Sequence, residues 1–165
     1  MLVLIGLGGN IGNVQRALTD ALARLAEVTT VRAVSGLWQS APIGPDQPEY
    51  LNAAALVDSA LSPLELLAHC NLFEALAGRD RMSEIRWGPR PLDLDLLLAE
   101  NLISTGPALV LPHPRLASRR FALLPACELL PNAIHPRHLR SLVDLLAVLD
   151  PAAQPCHRVF APGAW

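Results

Sequence analysis

The sequence predicts an α+β fold in which helices cover a mainly antiparallel sheet. Short apolar runs of strand length alternate with segments of helical spacing, in the order strand, helix, strand, strand, helix, strand. The chain has 165 residues and is 52% hydrophobic, which is enough for a substantial core. A single domain over residues 1–165 is therefore expected.

The N-terminal part is expected to supply a strand, a helix and a second strand. Residues 2–7 are mostly apolar and lead into glycines, as in a buried strand. The helix that follows is indicated by apolar residues at helical spacing, Val14, Leu18, Leu22 and Leu25. Residues 29–39 are rich in β-branched side chains and predict a strand, whereas the prolines within residues 41–50 predict a long loop.

The middle of the chain predicts another strand and a well-marked helix. Residues 51–57 have the apolar pattern of a strand. The run Ser62-Pro63-Leu64-Glu65 supplies an N-cap, a proline at the first helical position and a capping-box carboxylate. A helix over residues 62–77 is expected to end at Gly78, and the polar, arginine-rich residues 79–91 are expected to form an exposed loop.

The C-terminal part begins with an alternating strand over residues 92–96. A loop with several prolines follows, and residues 119–130 predict a helix that Pro125 can kink and Pro131 ends. Residues 141–149 predict a last short helix. This order of elements is typical of a ferredoxin-like α/β/α sandwich with a mainly antiparallel sheet.

The composition excludes several classes of protein. The apolar stretches are far shorter than the roughly 20 residues of a membrane-spanning helix, and no basic region precedes the first one as in a secretion signal. The three cysteines lack metal-ligand spacing and are interpreted as thiols in a reducing cytoplasm. The formal net charge of -2 gives no general attraction to nucleic acid or to an anionic membrane.

The basic residues are all arginine, 13 in number, and the chain contains no lysine. A P-loop requires a Gly-Lys pair, and a protein kinase requires a lysine on one of its strands. Neither of these nucleotide-binding mechanisms is therefore available to this chain.

Asp93 and Asp95 alternate with leucines, so a strand would place both carboxylates on one face with α-carbons about 6.5–7 Å apart. Keeping two such carboxylates ionised is costly unless cations share the site. Mg²⁺ that bridges phosphate oxygens suits these oxygen ligands. The alternative interpretation is a solvated strand with alternating polar residues, although aspartate is a poor strand former.

Arginines precede the two aspartates in the predicted loop, namely Arg79, Arg81, Arg86 and Arg90. Guanidinium groups bind phosphate through paired donors. The sequence therefore places candidate metal ligands next to candidate phosphate ligands.

The run Arg86-Trp87-Gly88-Pro89-Arg90-Pro91-Leu92-Asp93-Leu94-Asp95 resembles the signature R-W-G-P-R-x-x-D-x-D of the hydroxymethyldihydropterin pyrophosphokinases. The resemblance extends to Gly78-Arg79-x-Arg81, Pro42-x-Gly44-Pro45, Tyr50-Leu51-Asn52 and Pro112-His113-Pro114-Arg115-x-x-x-Arg119-x-Phe121. It implies an enzyme of folate biosynthesis in which the pterin hydroxymethyl oxygen attacks the β-phosphorus of ATP and AMP leaves.

The resemblance implies that Asp93 and Asp95 hold two Mg²⁺ ions that bind the ATP phosphates. Family positions that contact ATP are matched by Arg81, Arg90, His113 and Arg119. Asn71 and Trp87 are further candidates for contact with ATP. Arg79, Arg81 and Arg90 join the aspartates as implied catalytic residues, with Arg79 in the mobile catalytic loop of the family. His113 and Trp87 also have a structural interpretation, because a lone histidine beside prolines and a tryptophan in a Gly-Pro loop are often packing residues.

The implied pterin site combines two aromatic rings with a polar edge. Tyr50 and Phe121 match the rings that sandwich the pterin, and Asn52 matches the residue that reads its polar edge. The adjoining loop is matched by Ser40, Pro42 and Ile43, and Trp87 is a candidate lid over both substrates. As bare residues, Tyr50 and Phe121 would be assigned to the core, so the sandwich depends on the resemblance.

Several departures from the family pattern bear on the site. Ala108 and Val110 replace polar residues that contact ATP in some members. Gly9 stands where many members have Ser, a change that glycine tolerates conformationally. Asn71 stands where some members have Gln near the adenine.

Two other functions are alternatives to this hypothesis. A glycosyltransferase also uses Asp-x-Asp to hold a metal, but it requires a larger domain with several parallel βα units. A ferredoxin-like non-catalytic binding module would need exposed aromatics and a basic face to bind RNA, and only 4% of this chain is aromatic. We expect a monomeric cytoplasmic enzyme that binds ATP and 6-hydroxymethyl-7,8-dihydropterin, without nucleic acid or membrane partners.

Overall fold

The computed structural model describes residues 1–80, 88–100 and 102–165. The strands are β1 (Leu2–Gly9), β2 (Thr30–Val34), β3 (Leu37–Ser40), β4 (Tyr50–Asp58), β5 (Asp93–Ala99), β6 (Ser104–Thr105), β7 (Val110–Leu111), β8 (Ile134–His135), β9 (Arg140–Ser141) and β10 (Cys156–Phe160). The helices are α1 (Val14–Val28), α2 (Pro63–Leu76), α3 (Arg120–Leu129) and α4 (Leu142–Ala147), with a 3₁₀ turn at Leu116–Ser118.

The main sheet has six antiparallel strands. Its order is β10-β3-β4-β1-β5, and β2 pairs with β4 beside β3. With β2 and β3 taken as one bent strand, β1 to β5 with α1 and α2 follow the predicted ferredoxin-like order. Gly8 of β1 lies between Asn52 of β4 and Asp93 of β5, so two predicted site residues share one row of the sheet.

Helices cover both faces of this sheet, which confirms the predicted sandwich. Alternate residues of β1 point to opposite faces, as the period of a strand requires. Ile5 packs in the core with Leu18 of α1 and Leu66 of α2. Leu4 packs in the second core with Leu123 of α3 and with residues of α4.

The predicted start and stop of α2 are both present. The Ser62 hydroxyl accepts a hydrogen bond from the Glu65 N–H, and the Glu65 carboxylate accepts one from the Ser62 N–H. Gly78 follows the helix with φ +92°, a conformation that favours glycine. Within the described residues, no helix combines the length and the apolar character that crossing a bilayer requires.

Two parts of the main sheet differ from the prediction. The strand expected over residues 29–39 is interrupted at Ser35 and Gly36, because the Gly36 N–H donates to the Glu128 carboxylate at 2.6 Å rather than to a strand. The C-terminal strand β10 was not predicted, and it pairs with β3 at the edge of the sheet, with Cys156 opposite Ser40.

Candidate active site

The floor of the site is a strip of glycine on β1. Gly6 lies opposite Asp95 and Gly8 lies opposite Asp93 in the pairing with β5. Because Gly8 has no side chain, the Asp93 carboxylate and the Asn52 amide border an open surface there, whereas the Leu97 side chain packs over Gly6. The strip faces the same side of the sheet as α3, whose first turn forms one wall.

Asp93 is held by two arginines. Its Oδ1 accepts hydrogen bonds from Arg79 Nη1 at 2.5 Å and from Arg90 Nη1 at 3.3 Å. Its side chain is 28% exposed and that of Asp95 is 41% exposed, so both carboxylates remain reachable from the cleft. The predicted placement of both on one face of a strand is thus observed.

Arg79 lies in the predicted loop after α2, but its side chain is buried rather than exposed, so the prediction of exposure was wrong at this residue. Its side chain is only 8% exposed and donates from Nη1 to the buried carboxylate of Glu74 at 2.8 Å. Glu74 Oε1 also accepts from the Leu94 N–H at 2.7 Å, which links the last turn of α2 to β5. A buried arginine needs such partners because an unpaired charge is costly to desolvate. Gly88, at the other end of the predicted loop, is also buried.

The Asp95 carboxyl group lies in an unfavourable electrostatic position. Although 41% of its side-chain surface is exposed, protein atoms surround the carboxyl group closely, and this desolvation raises its pKa to about 7. The negative charges of Asp93 and Glu74 add to this effect. Arg119 and Arg115 oppose the rise without cancelling it. A cation in the cleft would therefore relieve a repulsion already built into the site.

His113 approaches Asp95 as a neutral side chain. Its Nε2 lies 3.8 Å from Asp95 Oδ2, and its Nδ1 accepts a hydrogen bond from the Arg115 N–H at 3.2 Å. Because Nδ1 is an acceptor, the proton of the neutral ring resides on Nε2. Burial, with Arg119 and Arg115 nearby, lowers the His113 pKa to about 4. The ring thus presents an N–H donor to the cleft.

The other half of the cleft is aromatic. The Tyr50 hydroxyl donates to the Gly88 carbonyl at 3.0 Å, and the Arg119 guanidinium lies 5.3 Å from the centre of the Phe121 ring. Asn52 is buried and its Nδ2 donates to the Ser40 hydroxyl at 3.0 Å. These contacts place apolar faces beside a polar edge, which is the arrangement that a flat heterocycle requires.

Most predicted site residues meet in two adjoining cavities. The first is lined by Ser40, Ile43, Tyr50, Asn52, Arg90, Asp93, Arg119 and Phe121, and the second by Asp93, Asp95, His113, Arg119 and others. Pro42 lines a smaller cavity on the other side of Phe121. Asn71 on α2 and Arg79 beyond it line neither of the first two cavities. Arg81 and Trp87 lie outside the described residues.

Sequence reasoning missed Asn10, which joins the two halves of the cleft. Its side chain is buried and donates to the Gln47 side chain at 3.0 Å and to the Pro48 carbonyl at 2.9 Å. Its Oδ1 accepts from the Arg90 N–H at 2.8 Å. One sequence signal could have indicated Asn10, because it directly follows the glycines of β1. An asparagine at such a turn often forms side-chain hydrogen bonds with nearby backbone groups.

The donors around Asp93 and Asp95 fit a magnesium site completed by a substrate. Both carboxylates offer oxygen, and no group of three or more metal-ligating side chains occurs among the residues the structure describes. Mg²⁺ sites of this kind use one or two carboxylates, with phosphate oxygens and water as the other ligands. Fold and cleft together define a class of enzyme that handles a phosphorylated co-substrate and a flat ring.

Comparisons with known proteins agree with this class. Residues 4–131 match the model of the 7,8-dihydro-6-hydroxymethylpterin-pyrophosphokinase (HPPK) family. A 2-amino-4-hydroxy-6-hydroxymethyldihydropteridine pyrophosphokinase of Pseudomonas aeruginosa is 42% identical over 86% of this chain and 89% of its own length. The Synechocystis protein of that name is 36% identical over 98% of this chain and 89% of its own length.

Solved structures give the same fold. A crystal structure of Plasmodium falciparum HPPK-DHPS superposes with a TM-score of 0.67 over 88% of this chain, at 14% identity. This chain spans 44% of that longer protein. The chain belongs to the 7,8-dihydro-6-hydroxymethylpterin-pyrophosphokinase family.

Proposed function

We propose that this chain transfers pyrophosphate from ATP to the hydroxymethyl group of 6-hydroxymethyl-7,8-dihydropterin, in folate biosynthesis. The oxygen of the hydroxymethyl group forms a bond to the β-phosphorus, and the bond from that phosphorus to the oxygen of the α-phosphate breaks. The products are AMP and the pterin diphosphate, and the hydroxyl proton is released. The observation that carries the proposal is the adjacency of Asp93 and Asp95 to the cavity of Tyr50 and Phe121.

Asp93 and Asp95 would hold two Mg²⁺ ions against the triphosphate. When bound there, Mg²⁺ neutralises negative charge on the phosphate oxygens, on which phosphoryl transfer depends. Both aspartates flank the glycines of β1, and Gly8 lines both cavities, so a phosphate chain can approach the backbone of β1 at that residue. The raised pKa of Asp95 supports this role, because burial and the charges of Asp93 and Glu74 disfavour the ionised carboxylate and a bound cation would favour it.

Arg90 and Arg119 would bind phosphate oxygens. Both arginines line the cavity that Asp93 also lines. Paired N–H donors of arginine match phosphate oxygens, and they stabilise charge that spreads over them in the transition state. The Nε2–H of His113 would add a neutral donor.

Tyr50 and Phe121 would sandwich the pterin, with Asn52 hydrogen-bonded to its polar edge. Asn52 is itself oriented by Ser40, so its amide is fixed before the substrate arrives. This fixed geometry would hold the hydroxymethyl group near the phosphate chain, which is the main contribution a protein makes to such a transfer. Ile43 and Pro42 would close the outer side of the ring site.

Residues 1–165 are proposed to act as one cytoplasmic domain and as a monomer. The two cores lie on opposite faces of a single sheet, which supports one folding unit. A single species of 17.7 kDa in sedimentation equilibrium is expected. A dimer at micromolar concentration would contradict the monomer.

Product analysis of the wild-type protein tests the activity. The protein is incubated with ATP, Mg²⁺ and 6-hydroxymethyl-7,8-dihydropterin, and the products are followed by ³¹P NMR. AMP and a pterin diphosphate in equal amounts are expected. ADP, or AMP together with free pyrophosphate, would show that the second substrate does not receive the pyrophosphoryl group and would overturn the proposal.

A further inference from the structure

The side-chain amide of Gln154 clamps the backbone on both sides of Arg119. Gln154 Oε1 accepts a hydrogen bond from the Arg120 N–H at 2.8 Å, and Nε2 donates to the Ser118 carbonyl at 3.0 Å. A backbone N–H can only donate and a carbonyl can only accept, so one orientation of the amide satisfies both bonds. The two hydrogen bonds therefore fix the backbone on the N-terminal and C-terminal sides of Arg119.

The backbone at Arg119 is not held by regular secondary structure, so the direction of its side chain depends on contacts such as those of Gln154. It has extended backbone angles, φ -123° and ψ 110°, between the 3₁₀ turn at Leu116–Ser118 and helix α3. The Arg119 side chain makes no capping bond to α3, so the first N–H groups of that helix need partners from elsewhere. The amide of Gln154 supplies one of them, pairing with the extended residue as a neighbouring strand would.

Gln154 is itself anchored to the main sheet. Its N–H donates to the Asp150 carbonyl at 3.3 Å, and β10 begins two residues later with Cys156 opposite Ser40 of β3. Arg120 Nη1 also donates to the Leu149 carbonyl at 3.4 Å, a second bond between the start of α3 and this segment. Residues 149–156 thus connect the edge strand β10 to the first turn of α3, which forms one wall of the cleft.

We propose that Gln154 is a positioning residue, which sets the direction of Arg119 and Phe121 toward ATP and the pterin. Gln154 lies outside residues 4–131, which match the family model. The inference rests on the proposed function, because that function assigns ATP to Arg119 and the pterin to Phe121. Both ends of the Gln154 amide are bonded to this backbone, so its effect is assigned to the backbone of residues 118–120.

The test compares steady-state kinetics of the wild type and Gln154→Ala. The loss of both hydrogen bonds is expected to raise the KM for ATP and for the dihydropterin about fivefold each. A merely structural role would lower the amount of folded enzyme and leave both KM values unchanged. Unchanged KM values in Gln154→Ala would therefore overturn the inference, whatever the melting temperature.

Two further variants complete the comparison. Gln15→Ala removes a similarly half-buried glutamine from α1, on the other face of the sheet, and is expected to leave both KM values unchanged. Gln154→Glu keeps the acceptor for the Arg120 N–H and loses the donor to Ser118. It is expected to raise both KM values, and it replaces Gln154→Ala in the test if that variant does not fold.

A double-mutant cycle separates this inference from the proposed function. In an Arg119→Ala background, Gln154→Ala is expected to raise the KM for ATP less than twofold further, since its effect passes through Arg119. A full fivefold increase in that background would contradict the positioning role. If Arg119→Ala alone leaves the KM for ATP unchanged, the proposed ATP contact of Arg119 fails, and that result is distinct from a failure at Gln154.

Discussion

The Asp95 carboxyl group lies where burial and the charge of Asp93 oppose its ionisation, and its pKa rises from 3.8 to about 7. The folded protein therefore binds this proton more tightly than the unfolded chain does. The resulting stability is fully present below about pH 4 and is lost as the pH rises through about 7. Ionisation of Asp95 thus costs stability in the pH range in which the enzyme would bind a cation.

We expect Mg²⁺ with a non-hydrolysable ATP analogue to stabilise the protein more at about pH 8 than at about pH 5, because the ionised Asp95 needs a cation. Melting temperatures of the wild type and of Asp95→Asn check this. In the variant, stabilisation by Mg²⁺ should be small at both pH values. An equal shift at both pH values in the wild type would contradict the raised pKa.

Asn10 joins the two halves of the cleft, so its removal should affect stability and catalysis together. In Asn10→Ala the Arg90 N–H loses its acceptor, and we expect the free energy of unfolding to fall by about 1–3 kcal/mol. The KM for both substrates should also rise, since Arg90 and the loop at Gln47 are no longer linked. Urea unfolding and steady-state kinetics are the measurements.

Asn13→Ala is the matched control for Asn10→Ala. Asn13 caps α1 by accepting from the Arg16 N–H at 3.1 Å, outside the cleft. Its loss should cost about 1 kcal/mol of stability and leave both KM values unchanged. Equal kinetic effects of the two variants would show that Asn10 has no special link to the site.

At the scale of elements, the end of β1 fits closely against the segment that leads into β5. A Cβ atom at Gly9 would lie 2.5 Å from the Pro91 carbonyl oxygen, so any side chain there displaces the backbone between Arg90 and Asp93. Glycine is therefore required at this position by the close approach of two backbones.

We expect Gly9→Ala to lower stability by about 1–3 kcal/mol and to reduce kcat/KM, because the displaced backbone carries Arg90 and Asp93. Gly106→Ala is the control, since a Cβ there would meet nothing closer than the Leu109 carbonyl oxygen at 4.0 Å. The free energy of unfolding from chemical denaturation and kcat/KM from steady-state kinetics are measured for both variants. A Gly9→Ala enzyme with wild-type kinetics would show that the site tolerates a shift of this segment.

The sequence predicted elements well where their signals are local. The capping box of α2 and the alternation of β5 depend on neighbouring residues, and both were found where expected. Strand β10 was missed because its pairing with β3 joins residues more than a hundred positions apart. The interruption at Gly36 was missed for the same reason, since its partner Glu128 lies on α3.

At the scale of the whole molecule, the candidate site could be predicted mainly through family resemblance. The pattern of Asp93 and Asp95 indicated a metal site, but nothing in the local sequence placed Tyr50 beside Phe121. The sheet brings them together by pairing β4 with β1 and by packing α3 on the same face. Buried polar contacts such as those of Glu74 and Asn10 were not predictable, since side-chain partners distant in sequence leave no periodic signal.

Rates of AMP formation in three proteins test the central claim that Asp95 serves the reaction through a metal at the cleft. We predict a loss of at least about 10³-fold in kcat for Asp95→Ala, as is typical when a major electrostatic element of a transfer site is removed. Glu100→Ala, which removes an exposed carboxylate just beyond the end of β5, should retain wild-type activity. An Asp95→Ala enzyme that forms AMP and pterin diphosphate at the wild-type rate would contradict the assignment of the site.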